Sequence, residues 1–503
     1  MQPPSGNGDE IIMDRHIHSL DPNAQQLATA SVAWMDNYWD DAVGLLWSPG
    51  DVADPFQHHP QRAGFHMVRE SGWYALGLLL RNNTGDLERA IRILDMILTY
   101  QFDEPDRPYH GTFFRAPEEP HPPAEPLEWK HYDPNWREFI ITTIAFILLE
   151  YRGRLPHTLV QKVDAAIRKA VKGALARNLT ASYTNIALMN AFMLCFAGDW
   201  LGEPAWFEHG ENMAKEIYHL FKIHNSFEEY NSPTYYGVDL YALALWRAHA
   251  SSPLLRELGA EMEALLWTDV AQFYHADLEN LCGPFDRSYG MDMRRYVALV
   301  GEWIWLVAGQ VRAPCPQLDQ PFAHSADFCF GPCAATLGAP VPPEAALHFL
   351  AFQGERQVER VISDSPRRVA TAWLGPGIML GAEHTSNSKR GYAQFHPATV
   401  HWRIGSDEIG WIRLIHSEPV DARASENLIE IRGAGELTFQ ICTPDVRAEA
   451  IQLGRWSLPG LWVQVETNAS AVRVDLKPDW IEARYTVRGE QAITGTLMTR
   501  TYS

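Results

Sequence analysis

Over roughly its first 310 residues the chain repeats one pattern: an apolar helical segment, a short turn holding Gly, Pro or Asn, and a second helical segment. "FHMVRESGWYALGLLLRN" runs through a Gly-Asp turn into "LERAIRILDMILTYQ", where Ile91, Leu94, Ile97 and Tyr100 fall on one helical stripe. The pattern returns in "NWREFIITTIAFILLEYRGR" with "LPHTLVQKVDAAIRKAVKGALARN", and in "SYTNIALMNAFMLCFAG" with "PAWFEHGENMAKEIYHLFKIH". The spacing predicts about ten or eleven helices in successive antiparallel hairpins, which close into a toroid or run on as a solenoid. No strict sequence repeat is present, which disfavours an open superhelix of fixed period.

From about residue 346 the period becomes two, as in "ELTFQICTP", "LWVQVETN" and "WIEARYTVRG". Such runs, bounded by Gly, Pro, Asn and Asp, predict an antiparallel β-sandwich. Residues 311–345 are rich in Pro, Cys and Gly and show no period. The expected organisation is therefore a helical toroid domain over 1–310, a linker over 311–345 and a β-sandwich over 346–503.

Lys and Arg number 42 against 62 Asp and Glu, a formal charge of −20. That balance argues against nucleic acid and anionic membrane as partners, since both call for a basic footprint. It also requires any site for an anionic ligand to be locally basic. No apolar run is long enough to span a bilayer. The N-terminal "MQPPSGNGDEIIMDRH" reads as no secretory leader, so a cytoplasmic location and reduced thiols are expected for the six cysteines. Cys329 and Cys333 in "CFGPC" lack the second pair that a zinc site needs, and neither metal nor cofactor is expected. The oligomeric state is left open.

Four polar clusters interrupt the helical pattern. In "SFEEYNSPTYYG", Ser232 is a good N-cap and Pro233 suits the first helical position. Tyr235 and Tyr236 then fill the first turn, where the helix dipole favours anions and a depressed phenol pKa is expected. Asn231 stands ready to bind a carboxylate, and Glu229 precedes it. The competing reading packs these phenols against neighbouring backbone. The second cluster, "TASYTNIALMNAF", carries Asn185 in the first turn of a helix. The third, "LCGPFDRSYGMDMRRYV", supplies local positive charge with Arg287, Arg294 and Arg295, beside Tyr289. The fourth, "AWMDNYWDDAVGLLW", offers Trp39 at the mouth of a toroid, or forms an ordinary polar helix face. A connection over 102–133 holds seven prolines, with Tyr109, His110, Phe113, Trp129 and His131. A loop of that length is usually functional, here as a lid or a sugar-stacking wall, with an idle surface excursion as the alternative.

With these residues in view, the chain resembles the heparinase II/III-like and alginate-lyase-like polysaccharide lyases. The resemblance rests on "NSFEEYNSPTYYG" and "YTNIALMNAF" and implies an incomplete α/α toroid of helical hairpins followed by a β-sandwich. It puts Tyr235 on the catalytic tyrosine and Asn185 on the asparagine that neutralises a uronate carboxylate. Related enzymes often carry histidine directly after that asparagine. Here Ile186 stands there, so a catalytic histidine has to come from elsewhere, with His224 and His131 as candidates.

The implied reaction is β-elimination on a uronic-acid-containing oligosaccharide. The carboxylate must be neutralised, the C5 proton removed and the departing O4 protonated. Asn185, Asn231 and Arg287 are assigned to the carboxylate, and Tyr235 to the base and to the acid as well. His224 is the alternative base and Tyr289 the alternative acid; Tyr236, Glu229, Trp39, His131 and Trp129 are expected to contact sugar. Three rivals stand beside this reading, one of them a sugar epimerase or isomerase on an α/α barrel, which the added sandwich disfavours. A glycoside hydrolase needs a carboxylate pair, for which Glu229, Asp239, Asp286, Asp292 and Asp40 are available. A non-catalytic carbohydrate-binding protein would use some of the 18 tryptophans as platforms.

Overall fold

A computed structural model describes residues 15–48, 64–406, 408–445 and 447–499. The N-terminal segment read above for a leader lies largely outside the described residues. Helices buried on most faces, together with the amphipathic first α-helix, form an inner ring, and helices with a single apolar stripe form an outer layer. The inner helices are α1 (Pro22–Asp36), α2 (Val68–Arg81), α4 (Trp136–Tyr151), α6 (Thr184–Leu201), α8 (Tyr235–His249) and α10 (Leu299–Ala308). Each touches the next, and α10 returns to α1, so the ring of contacts closes. Around it lie α3 (Asp86–Thr99), α5 (His157–Arg177), α7 (Pro204–His224) and α9 (Pro253–Phe273). The sequence shows why: α6 buries every residue from Thr184 to Gly198, whereas α3 buries one stripe around Ile93, Leu94 and Ile97. Asn82, Asn178 and Asn225 end α2, α5 and α7 in the left-handed conformation, which asparagine tolerates better than most residues.

Residues 311–345, expected as a linker, instead carry a 3-10 helix (Ser325–Phe330) and α11 (Gly331–Leu337). α11 contacts α1, α2, α8 and α10 and so plugs one end of the ring. Phe330 meets the edges of Trp73 and Tyr241 at 5.5 and 5.2 Å, and Cys329 and Cys333 are fully buried there. The segment is too short for a readable helical stripe, and burial on all sides removes the polar face that marks period.

A last helix, α12 (Pro343–Leu350), leads into the β-domain, whose strands are all antiparallel. Among the described residues twelve strands join in one sheet that folds over on itself. The strand Val420–Ser425 lies across Arg367–Gly375, and Ala424 N donates to Thr371 Oγ1 at 2.9 Å. Between the layers sits a core of Trp402, Leu414, Leu437 and Tyr485. A helical toroid followed by an antiparallel β-domain is thus the architecture. No helix among the described residues is long and apolar enough to cross a membrane.

The two domains are tied by buried contacts. Ala370, Leu374, Met379 and Trp411 of the β-domain belong to the helical core cluster. Arg356 Nε donates to Gln272 O at 2.9 Å, and Arg360 pairs with buried Asp269 at 3.0 Å. Phe285 and His396 exchange both backbone hydrogen bonds, at 3.1 and 2.9 Å, and Ser288 N donates to Gln394 O at 2.9 Å. These bonds fix segment 285–289 of the helical domain against a loop of the β-domain, and the polar cluster described next is built on them.

Candidate active site

The turn between α7 and α8 keeps the serine contact its sequence predicts, but α8 starts two residues later than expected, at Tyr235 with Thr234 at the N-cap. Ser232 Oγ accepts from Tyr235 N at 3.2 Å, and its carbonyl accepts from Tyr236 N at 3.0 Å. A serine contact of this kind contributes about 1 kcal/mol and fixes the direction in which the first turn points. The next two side chains diverge. Tyr235 is half-buried and faces segment 285–289, whereas Tyr236 is fully buried with its ring edge-on to Tyr230 at 6.2 Å. Tyr236 is therefore a core residue, which corrects its expected role in sugar binding. Asn231 is also corrected. It adopts φ +53° and gives its amide hydrogens to Cys282 O and Pro284 O at 2.7 and 2.8 Å, so it is a fully buried backbone staple with no donor left for a ligand.

Five expected residues do converge. Tyr235 and Tyr289 share a hydrogen bond of 2.7 Å between phenol oxygens. The Arg287 guanidinium carbon lies 4.3 Å from the Tyr235 ring centre, and Arg287 Nη2 reaches Tyr289 Oη at 3.4 Å. Arg287 Nη1 donates to Glu229 Oε1 at 2.7 Å, and Asn185 Nδ2 to Glu229 Oε2 at 2.6 Å. Asn185 and Arg287, both assigned to a substrate carboxylate, thus already hold one, supplied by Glu229. The Asn185 Oδ1 is buried without a hydrogen-bond partner.

The electrostatics correct one expectation outright. Burial raises the Tyr235 pKa well above the ordinary phenol value, and neighbouring Tyr289 adds to this while Arg287 opposes it. Helix position alone does not lower it, because losing water costs a phenolate more than the helix end returns. Burial raises Tyr289 too, opposed by Arg287 and by the hydrogen bond with Tyr235. Either phenol can donate in the bond that joins them. Glu229 is raised by burial against the pull of Arg287 and Asn185. Arg287 stays charged: burial works against it, and Tyr235, Tyr289 and Glu229 more than compensate.

Two groups escaped the sequence reading. Gln394, from the β-domain loop, accepts from Arg287 Nε at 2.8 Å. His324 lays its ring over Tyr289, centre to centre 4.5 Å and tilted 31°, and pairs with Asp327 at 3.8 Å. No local pattern marks either; His324 lies in the segment expected as a linker, just before the plug.

The remaining candidates sit apart. His224, at the end of α7, pairs with Asp364 of the β-domain at 3.2 Å, and none of its described contacts reaches the tyrosine pair. His131 Nδ1 accepts from Leu127 N at 2.9 Å within the proline-rich loop. Trp129 is exposed and has the Arg177 guanidinium 5.8 Å from its ring centre. Trp39 is flanked by Arg89 and Arg92 and lines a separate surface cleft with Asn37, Asp41 and Trp47. The loop's Tyr109 and Phe113 are buried, Tyr109 in a small core with Phe102 and Tyr132, and so form no wall. Of the carboxylates weighed for a hydrolase, Asp239 is buried in α8, Asp286 is locked by Arg368 and Lys389, and Asp292 is held by Asn280 and Arg294. Asp40 pairs with His66 at 3.2 Å. Glu229 alone contacts the Arg287 and tyrosine group.

A solved heparinase III aligns with 100% of this chain and 88% of its own, at 9% identity and a TM-score of 0.48. A chondroitinase AC lyase aligns with 97% and 82%, at 10% identity and 0.38. An α-L-rhamnosidase from Dictyoglumus thermophilum aligns with 95% and 50%, at 11% identity and 0.33. No curated protein sequence matches the chain. Residues 354–477 match the family model described as domain of unknown function DUF8770. Residues 25–339, well over half of the chain, match another, and the protein belongs to that family, the one described as domain of unknown function DUF8769.

Proposed function

We propose that this protein is a lyase that cleaves a uronic-acid-containing oligosaccharide by β-elimination. One observation carries the reading: a carboxylate accepts from both Asn185 and Arg287, at 2.6 and 2.7 Å, directly beside two phenols that share a proton. Those are the parts elimination needs, namely an acid-group cradle and a proton donor–acceptor pair.

The chemistry follows from the pair. One phenol acts as phenolate, steadied by Arg287 and by the second phenol. It takes the C5 proton; the C5–H electrons become the C4=C5 double bond as the C4–O4 bond breaks. The second phenol gives its proton to O4. Each turnover exchanges the protonation of the two rings and leaves their total charge unchanged. Arg287 and Asn185, which hold the Glu229 carboxylate, bind the substrate acid; burial favours the protonated form of Glu229, and in that form its O–H donates to the same acid group. His324 buttresses the Tyr289 ring.

The test is incubation with uronate-containing oligosaccharides, following ultraviolet absorbance and reducing ends together. A conjugated unsaturated product rising in step with new ends is expected. Reducing ends without that chromophore would mean hydrolysis and overturn the reading.

A further inference from the structure

A pocket of about 380 Å³ lies between the proline-rich loop and the C-terminal half of α5. Its chemistry is the reverse of the chain's. In a protein of formal charge −20, it is lined by Arg107, Lys172, Arg177 and His110, with Glu128 the acidic residue among its lining. Glu128 is already engaged by Arg177 at 3.0 Å. Among the described residues neither Arg107 nor Lys172 forms an ion pair with a carboxylate, and Arg107 donates to Ala124 O at 3.0 Å. Two cations are thus left facing the same space.

The pocket is built. Gly173 lets the loop rest directly on α5: a Cβ there would stand 2.0 Å from His110 O. Pro105, Pro108 and Pro134 stiffen the rim, so little chain entropy is lost on binding. The His110 side chain is 6% exposed, and its Nδ1 has no partner. Behind it Arg137 is fully buried, giving Nη2 to His110 O at 3.0 Å and pairing through Nη1 with the buried Glu138 carboxylate at 3.8 Å. Burial lowers the His110 pKa, and Arg137, Lys169 and Lys172 push it the same way against Asp103. Arg137, Lys169 and Arg177 are each answered by a carboxylate, Glu138, Asp103 and Glu128, so the charge that an anion in the pocket would meet is that of Arg107 and Lys172.

The pocket is also wired to the candidate active site. Arg177 donates to Asn135 Oδ1 at 2.7 Å, Asn135 Nδ2 donates to Tyr183 Oη at 2.8 Å, and Tyr183 stands two residues before Asn185.

The geometry points to a second carbohydrate subsite here, one that takes the sulfate or carboxylate group of a sugar unit other than the reacting one. This assignment rests on the glycan reading above, but its test needs no turnover. Binding is measured by calorimetry on the Tyr235→Phe chain, with and without Arg107→Gln and Lys172→Gln. The probes are an unsulfated uronate oligosaccharide, its sulfated counterpart, and sodium sulfate and sodium phosphate at fixed ionic strength. Both substituted side chains are exposed, and unchanged melting temperatures establish intact folding. Loss of two charge-assisted contacts is expected to weaken oligosaccharide binding at least about tenfold. A larger loss for the sulfated probe assigns the group as sulfate, and an equal loss for both as carboxylate. Equal affinity of parent and variants for every oligosaccharide overturns the subsite. So does inorganic phosphate or sulfate binding as tightly as any sugar, which would make this a free-anion site. Failure of the lyase reading shows separately, as absence of an unsaturated product.

Discussion

The phenol oxygens of Tyr235 and Tyr289 lie 2.7 Å apart, joining the first residue of α8 to a segment that the β-domain holds in place. Neither ring is close to ionising alone, since burial raises both. Arg287 lies against both rings, so the hydrogen-bonded phenols share one cation. The domain interface sets their separation, and under the proposed reaction that separation would govern proton transfer.

If the pair acts as a unit, its members are not additive. Tyr235→Phe and Tyr289→Phe are each expected to lower kcat by about 10²–10⁴-fold, the range for losing a positioned acid or base. The double variant should fall little further. Steady-state kinetics on the three chains, with melting temperatures as a folding control, measure this. A product of the two single losses in the double variant would mean independent roles.

The raised phenol pKa values set the pH profile. Only the ionised fraction of the pair removes a proton, and that fraction grows tenfold per pH unit below its pKa. kcat should therefore rise with a slope near one across neutral and mildly alkaline pH. A plateau beginning below pH 8 would show that a group other than the tyrosine pair, such as His324, is the base.

Glu229 works in the opposite direction and on a different parameter. Its carboxyl pKa is raised, so it is neutral at lower pH and becomes an anion as pH rises. The anion repels a substrate carboxylate that shares its partners. KM is expected to climb with pH in the native chain and to be flat in Glu229→Gln, which keeps the shape without the charge. A KM that is equally pH-dependent in both chains would remove Glu229 from substrate binding.

Much of this was legible from local pattern. Periods of 3.6 and two separate the helical domain from the β-domain, because each reflects which faces of an element meet the core. Asn185, Tyr235, Arg287 and Tyr289 stood out as polar or aromatic groups at helix starts and in a charged turn. Gln394 did not, because it meets Arg287 across 107 residues of sequence and only the domain interface brings the two together. Asn231 misled for a related reason. An asparagine at a turn binds a carboxylate or staples backbone with the same two amide hydrogens, and only the position of Cys282 O and Pro284 O decides between them.

The interface itself can be tested through Arg360 and Asp269. Asp269 is buried on α9, is pushed up to about 6 by burial, and keeps Arg360 at 3.0 Å and the Tyr230 hydroxyl at 3.3 Å. Its folded pKa exceeds the unfolded value of about 4. The native state therefore holds the extra proton between those values, and stability contributed by this group falls as pH rises through that window. Removing the guanidinium moves the folded pKa higher still and widens the window past neutrality. Arg360→Met is expected to cost about 3–5 kcal/mol at pH 7, the range for orphaning one member of a buried pair, and clearly less at pH 5, where Asp269 protonates. Chemical denaturation at the two pH values measures it, and an equal loss at both would show that Arg360 stabilises the interface by packing rather than by charge.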